Sequence, residues 1–398
     1  MTNRKKVDKL KKCHPITFSW IEGNMNKKNL LVCIITAVCS IAMFGMEKEY
    51  LPKRRYLTNE NDIPGEYVKI LEQEGLPKKA LNAYVITNPR VLKSIENSSD
   101  KVIGKVGQHY MNKHDNLSEI TSDPQEHGKS LVGLANSPSK KIAGKSSFII
   151  GSANPTNSIY KYGNYESVVV GEDDTDLSNQ LYTAMTSTSP VKEKKEVILK
   201  TPEKNTVYSS RKVDLNKSRS ERINTVAERE GSRGKILASS MSFNDDLLAA
   251  ALINAANKKV NTQLILDRAS MTNLPLLETM RAAGVNMFMH NPAGQYRRLM
   301  HNKSLITNNL FEITTGNFTQ EGNDQNNIST YFVDDAQLRT DAEKDYERVK
   351  KACIPFDQAV PLFQKAQEQK QEKKKVLKRV SSFDVIENID PQIKKIKK

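Results

Sequence analysis

The chain has 398 residues, a formal net charge of +15, and 37% hydrophobic and 6% aromatic residues. That length suffices for two domain-sized cores. The positive charge is concentrated at the ends, roughly +6 before Leu30 and roughly +6 after Gln364, so it does not mark a nucleic-acid-binding core, and the aromatic content offers no obvious base-stacking platform.

Residues 3–28 are basic and polar, and residues 30–46 form a nearly unbroken apolar run. The run is short for a membrane span. With Lys27 and Lys28 before it and Ser40, Ala42 and Gly45 near its end, it reads as a signal peptide; an uncleaved N-terminal anchor is the alternative. Counted from Met25, the stretch ahead of the run has ordinary length, which points to Met25 as the start. The chain is therefore expected to be exported, periplasmic or secreted. Neither Cys33 nor Cys39 follows the small residue that a lipoprotein site needs. Beyond the leader only Cys353 remains, so no intramolecular disulfide can form after cleavage.

Residues 47–75 are charged and punctuated by Pro52 and Pro64, the composition of a connector. A first lobe is expected over residues 76–186. It has a strand at 83–86, a helix at 89–97, a polar stretch at 101–127 without clear period, and a helix at 176–186. His109 and His114 sit in the polar stretch and read as surface loop histidines. Residues 187–204, rich in Ser, Thr, Pro, Lys and Glu, read as a crossover linker. A second lobe is expected over residues 205–363. Its strands at 207–210, 235–240, 262–267 and 285–290 alternate with helices at 216–230, 244–257 and 275–283, and a helix at 336–353 closes it. This alternation predicts an α/β fold with a mixed, largely parallel sheet flanked by helices. Residues 364–398, rich in Lys, Glu and Gln, read as a basic, disordered tail.

Residues 300–307 and 311–319 read as two strands joined by a tight turn at Asn308 and Asn309. In a strand, residues i and i+2 share a face. His301 and Lys303 therefore point the same way, and Asn317 ends the partner strand close by. An imidazole, an ammonium and a carboxamide converging at a sheet end suit a phosphate. The first lobe repeats the arrangement with His127, Lys129 and Asn154. A repeated long unit of this kind predicts two similar lobes with one site between them. The interval from Asn154 to Glu166 equals that from Asn317 to Ser329, which makes Ser329 the expected counterpart of the acid. Residues 135–147, with Lys140, Lys141 and Lys145, form an insertion in the first copy that is expected to shape access. His290 ends a strand just before the second motif, where it either caps the strand by packing alone or supports the site from behind. Arg297 and Arg298 precede His301 closely enough to hold a second phosphate or a polyanion. There is no H-E-x-x-H, cysteine cluster or dense aspartate set, so neither a metal nor a cofactor is expected. The residues then predict a phosphodiester displacement. Lys129 and Lys303 meet the phosphate charge, with Asn154, Asn317 and Ser152 as donors. One histidine attacks phosphorus and the other protonates the leaving oxygen. Glu166 would orient a histidine through its ring N–H.

Over roughly residues 75–350 these features resemble the phospholipase D superfamily, whose signature is H-x-K-x(4)-D followed by G-S-x-N. The resemblance implies two phospholipase D-like lobes related by a pseudo-twofold axis, a pseudo-dimer within one chain. It also implies covalent two-histidine catalysis, with the first-copy His127 as nucleophile and His301 as acid. The chain departs from the signature in several places. The aspartate position holds Asn308 in the second copy and Leu134 or Asn136 in the first, and Gly151-Ser152 becomes Thr314-Thr315. Three functions follow from motif and departures. The first is a phospholipase D-type hydrolase at a phospholipid membrane surface. The second is a secreted, metal-independent nuclease, and the third a non-catalytic phosphate-binding module with degenerate motifs.

Overall fold

A computed structural model describes residues 53–98, 100–107, 120–135, 145–156, 164–187, 195–200, 202–295, 298–333 and 335–382. The expectations for the leader, His109, His114, Arg297, Lys140, Lys141 and the last sixteen residues lie outside them.

The first sheet draws on β1 (Lys53–Thr58), β2 (Lys78–Ala83), β3 (Val102–Val106), β4 (Ile120–Ser122), β5 (Lys129–Leu134), β6 (Ser147–Gly151) and β7 (Ser167–Glu172). Helices α1 (Ile63–Glu72), α2 (Pro89–Glu96) and α3 (Thr175–Thr186) accompany it. Each helix begins on an Asx cap: Asp62, Asn88 and Asp174 accept backbone N–H groups of their first turns. Pro64 and Pro89 sit in first turns, where the missing N–H costs nothing.

The second sheet draws on β8 (Thr206–Ser209), β9 (Lys235–Ser240), β10 (Asn261–Asp267), β11 (Asn286–His290), β12 (Ser304–Thr307), β13 (Phe311–Thr314), β14 (Ile328–Phe332) and β15 (Ile354–Pro355). Its helices are α4 (Leu215–Glu230), α5 (Asp246–Asn257), α6 (Leu274–Ala282), α7 (Gln320–Asp324), α8 (Ala336–Lys351) and α9 (Phe356–Ser382).

The two sheets repeat one plan. The first runs β1-β7-β6-β5-β2-β3-β4 and the second β8-β14-β13-β12-β9-β10-β11, with β15 added at the end. Corresponding pairs also agree in sense. Four antiparallel pairings are followed by two parallel ones in each. The sheets are thus mixed, as expected, but antiparallel pairs outnumber parallel ones. The hairpins that carry the motif residues, β5–β6 and β12–β13, account for this, since strands joined without a crossover pair antiparallel.

The repeat moves two expected boundaries. Residues 53–72 are not a connector: β1 pairs with β7 in register from Lys53↔Glu172 to Thr58↔Ser167, and α1 buries Ile63, Tyr67, Ile70 and Leu71. They are the first lobe's equivalents of β8 and α4. The first-lobe strand expected at 83–86 lies at Lys78–Ala83 instead. At the other end, residues 364–382 are helical, continuing α9.

An apolar cluster containing Val132, Phe148 and Val169 of the first lobe with Ile306, Phe311 and Phe332 of the second joins the lobes. It includes Leu177 and Leu181 of α3 and Leu338 and Tyr346 of α8. Burying each such side chain contributes about 1.5–3 kcal/mol. Both lobes belong to one compact unit, Pro52–Lys398.

Candidate active site

The lobes meet along two short parallel bridges. Tyr165 pairs with Met300, and Glu126 pairs with Asn326. Each bridge places the residue before one motif histidine against a segment of the other lobe. The backbone N–H of His301 donates to Tyr165 O at 2.9 Å, and that of His127 donates to Asn326 O at 3.4 Å. Both histidines are thereby fixed from across the interface.

Locally the H-x-K spacing brings each lysine back onto the backbone of its own histidine. Lys129 and Lys303 are fully buried, and each ammonium donates to the carbonyl of its own histidine, at 2.8 Å and 2.5 Å. Lys129 Nζ reaches further, to Thr315 O at 3.2 Å and to within 3.1 Å of His127 Nδ1. Gly128 leaves room between them: a Cβ there would stand 2.4 Å from Glu126 Oε1 and 2.9 Å from Asn82 Cβ, so their side chains would have to shift. That carboxylate accepts the Gly128 N–H at 2.7 Å, and burial pushes it up to about 7.

The orienting groups differ between the two histidines. His301 Nδ1 lies 2.9 Å from the Glu166 carboxylate, which also accepts from Ser152 Oγ at 2.6 Å. His127 Nδ1 lies 3.1 Å from Asn327 Oδ1, which also accepts from Thr315 Oγ1 at 3.1 Å. Asn327 Nδ2 donates to Gly322 O, which fixes the amide with its oxygen toward the imidazole. Gly316 makes room, since a Cβ there would fall 2.4 Å from the Asn327 side chain. So Asn327 is the structural counterpart of Glu166. Ser329, expected in that place, instead accepts from Arg219 Nη2 at 2.8 Å. The second copy is two residues shorter between Asn317 and its strand. Counting back from β7 and β14 would have found the match; counting forward from the asparagines does not.

The other expected residues fall as follows. Asn154 Oδ1 accepts from the backbone N–H groups of Tyr84 and Val85, at 3.1 and 3.3 Å. Asn317 Oδ1 is buried without a hydrogen-bond partner. Arg298 stacks on the Tyr165 ring, 3.8 Å from its centroid, with its Nε buried and unpaired. Asn308 lies in the hairpin turn and donates to Arg233 O, so the position of the signature aspartate is structural. His290 is buried, 3.2 Å from the Asp267 carboxylate, and Asp267 also accepts the Met300 N–H at 3.0 Å. Sequence reasoning missed Asp267, Asn327 and Glu126; Tyr84, whose ring lies 5.3 Å from that of His127, was read only as part of a strand.

Electrostatically the site is a buried cation cluster. Burial, then the neighbouring lysines and the other histidine, hold His127 well below the usual histidine range. Burial and Lys303 do the same to Lys129. Lys303 is pushed by burial down to about 7, against the pull of Glu166 and Asp267. Burial outweighs Glu166 at His301, which is lowered too. Burial alone would raise Glu166, but His301, Lys303 and the Ser152 hydroxyl bring it below the usual carboxylate range. Both imidazoles are therefore neutral at neutral pH, with a carboxylate behind only one. Among the described residues no group of three or more His, Cys, Asp or Glu side chains is gathered as a metal site.

Duplicated mixed sheets, each with an H-x-K pair and a histidine-orienting group supplied by the other lobe, define a bilobal architecture with one candidate site between the lobes. Residues 230–350 match the family described as "Cardiolipin synthase, PLD-like domain". That stretch, most of the second lobe, is thus a phospholipase D-like domain, and the first lobe repeats its strand plan. Phosphatidylserine synthase of Haemophilus influenzae Rd KW20 is similar in structure at 10% identity and a TM-score of 0.55, over 82% of this chain and 96% of that one. Polyphosphate kinase from Porphyromonas gingivalis is similar at 16% identity and a TM-score of 0.51, over 74% of this chain. The chain spans half the length of that kinase. At these identities the likeness is one of fold. No curated protein matches the chain in sequence.

Proposed function

We propose that the chain is a phosphodiesterase that works through a covalent phosphohistidine, with phospholipid as substrate. The observation that carries this reading is the pair of buried histidines, each oriented from the other lobe, beside two buried lysines. A bound phosphodiester would supply the negative charge that the lysines lack.

The order of events departs from the first-copy-first expectation. His301, hydrogen-bonded through Nδ1–H to Glu166, presents a free Nε2 lone pair. Forming an Nε2–P bond places positive charge on the ring, and the Glu166 carboxylate stabilises it. The Asn327 amide can orient His127 but cannot neutralise such a charge. His301 is thus the nucleophile. His127 is neutral in the free site, takes up a proton when the bound phosphodiester's negative charge offsets the lysines, and as imidazolium gives that proton to the leaving oxygen as the P–O bond breaks. In the second step His127 takes a proton from the incoming water, which displaces His301. An alcohol in place of water gives phosphatidyl transfer, a second reading favoured by the synthase-type domain matched at residues 230–350. The apolar run at residues 30–46 supports placing the chain on the exported side of a membrane.

The test is bis(p-nitrophenyl) phosphate turnover in excess EDTA, with mass mapping of the trapped adduct. With this good leaving group, His127→Ala should accumulate a nitrophenylphosphoryl group on His301, because the base for the second step is missing. An adduct on His127 would reverse the order. A folded chain with no turnover and no adduct would remove the enzyme reading and leave the phosphate-binding module. A nuclease would instead cleave single-stranded DNA and spare phospholipid vesicles.

A further inference from the structure

Among the described residues the duplicated plan accounts for every strand except β15, and α9 follows it directly. Helix α9 has no counterpart in the first lobe among the described residues. Its first turns pack Phe356 and Ala359 into the second lobe's core. Beyond Pro361 the helix continues, and Phe363, Ala366, Gln367 and Lys370 share one face, at the i, i+3, i+4, i+7 spacing.

That face closes a cavity of about 440 Å³, within the range of small-molecule sites. The opposite wall includes Met241, after β9, and Leu299, two residues before His301. Asp267 also lines it, and its carboxylate holds the Met300 N–H. The cavity wall is thus the segment that presents His301. Its apolar lining is mainly aliphatic, while Arg268 and Lys370 are exposed at its edge. Neither has a carboxylate partner among the described residues. The equivalent place in the first lobe differs: Tyr84 corresponds to Met241, stands 43% exposed beside His127, and has no helix over it among the described residues.

We propose that this cavity binds the hydrocarbon part of an anionic phospholipid whose phosphate lies between the two histidines. The proposal rests on the phosphodiesterase reading. The aliphatic wall takes an acyl chain, which removes apolar surface from water. Arg268 and Lys370 meet the headgroup charge of the surrounding lipid. The leaving group then departs on the Tyr84 side, past His127. A nucleic-acid base would meet an apolar wall of Met241, Leu299, Phe363 and Ala366, with the polar groups of the lining, such as Thr272 and Gln367, gathered elsewhere on it.

Binding is measured on the full chain carrying His301→Ala, so that nothing is turned over. Calorimetry compares dihexanoylphosphatidylglycerol, below its micelle concentration, with glycerophosphoglycerol, which has the same headgroup and no acyl chain. The diacyl ligand should bind at least tenfold tighter. Adding Ala366→Trp, which fills the cavity from a half-buried helix position, should erase that advantage and leave glycerophosphoglycerol binding unchanged. Unchanged binding of the second ligand also shows that the variant is folded. Arg268→Glu should weaken binding to anionic vesicles severalfold. Equal or undetectable binding of the two ligands overturns the proposal, as does an advantage that survives Ala366→Trp. A single-stranded oligonucleotide that binds tighter and is weakened by Ala366→Trp would overturn it in favour of nucleic acid. None of these results depends on turnover, so a chain that binds lipid here yet cleaves no diester would break the enzyme reading alone.

Discussion

The two lobes share seven strands in the same order and sense, yet they solve the same two problems with different chemistry. Under the first sheet, Ile149, Val168 and Val170 meet Tyr67 and Ile70 of α1 in an apolar layer. At the equivalent positions the second lobe places Glu312, Ser329 and Tyr331 against Arg219 and Arg222 of α4. Arg219 Nε donates to Glu312 Oε1 at 2.7 Å, and Arg222 Nη2 donates to the Tyr331 hydroxyl at 2.6 Å. In the site, the first lobe supplies a carboxylate to its partner's histidine and the second supplies an amide. A fold of this kind constrains strand order far more tightly than it constrains the polarity of any one layer. On the proposed mechanism, only one of the two histidines needs to carry the covalent bond.

The contrast between the layers can be broken at Glu312. Glu312→Ala leaves two buried guanidiniums without a counter-charge and should cost about 3–5 kcal/mol, read as a lower denaturation midpoint with unchanged slope. Ile149→Ala, the matching change in the first lobe, removes only apolar contacts and should cost about 2–5 kcal/mol. A Glu312→Ala variant as stable as the parent would mean that the buried charges find another partner.

The contrast in the site is sharpened by exchanging its two orienting groups. Glu166→Gln should lower kcat on bis(p-nitrophenyl) phosphate about 10²–10³-fold, or about 3–4 kcal/mol. Asn327→Asp should change it less than tenfold. Equal losses would show that the two histidines are interchangeable. A smaller effect concerns pH. Lys303, held down to about 7, loses its charge as pH rises through that value, so kcat/KM of the free enzyme should fall on the alkaline side of neutrality. His301 is lowered, so its neutral, nucleophilic form persists down into mildly acid solution. Lys303→Arg keeps a cation at all working pH and should move the alkaline limb upward. An unmoved limb would assign that ionisation elsewhere.

Much of this was legible in the sequence for a physical reason. The H-x-K spacing places His and Lys on one side of an extended chain, and that local geometry survives at both motifs. The alternation of β9, α5, β10, α6 and β11 gave the second lobe its elements within a residue or two. What escaped depends on neighbours distant in sequence. β1 carries Lys53, Arg54 and Arg55 and reads as a linker until β7 pairs with it and Asp174, Glu66 and Glu172 take up its arginines. Asn327 was hidden by a two-residue shortening that shifts any match counted from Asn317. The alternating pattern overstated parallel pairing, because the motif hairpins β5–β6 and β12–β13 lie in the middle of each sheet.

The exchange of orienting groups across the interface has a bearing on how this chain becomes active. Each imidazole is aimed by a residue that the opposite half contributes, Glu166 for His301 and Asn327 for His127. Two fragments separated between α3 and β8 would each hold a complete H-x-K motif and yet both be silent. Mixed, they would recover activity as a second-order process. The first appearance of turnover during refolding would therefore time the docking of the halves rather than the folding of either one.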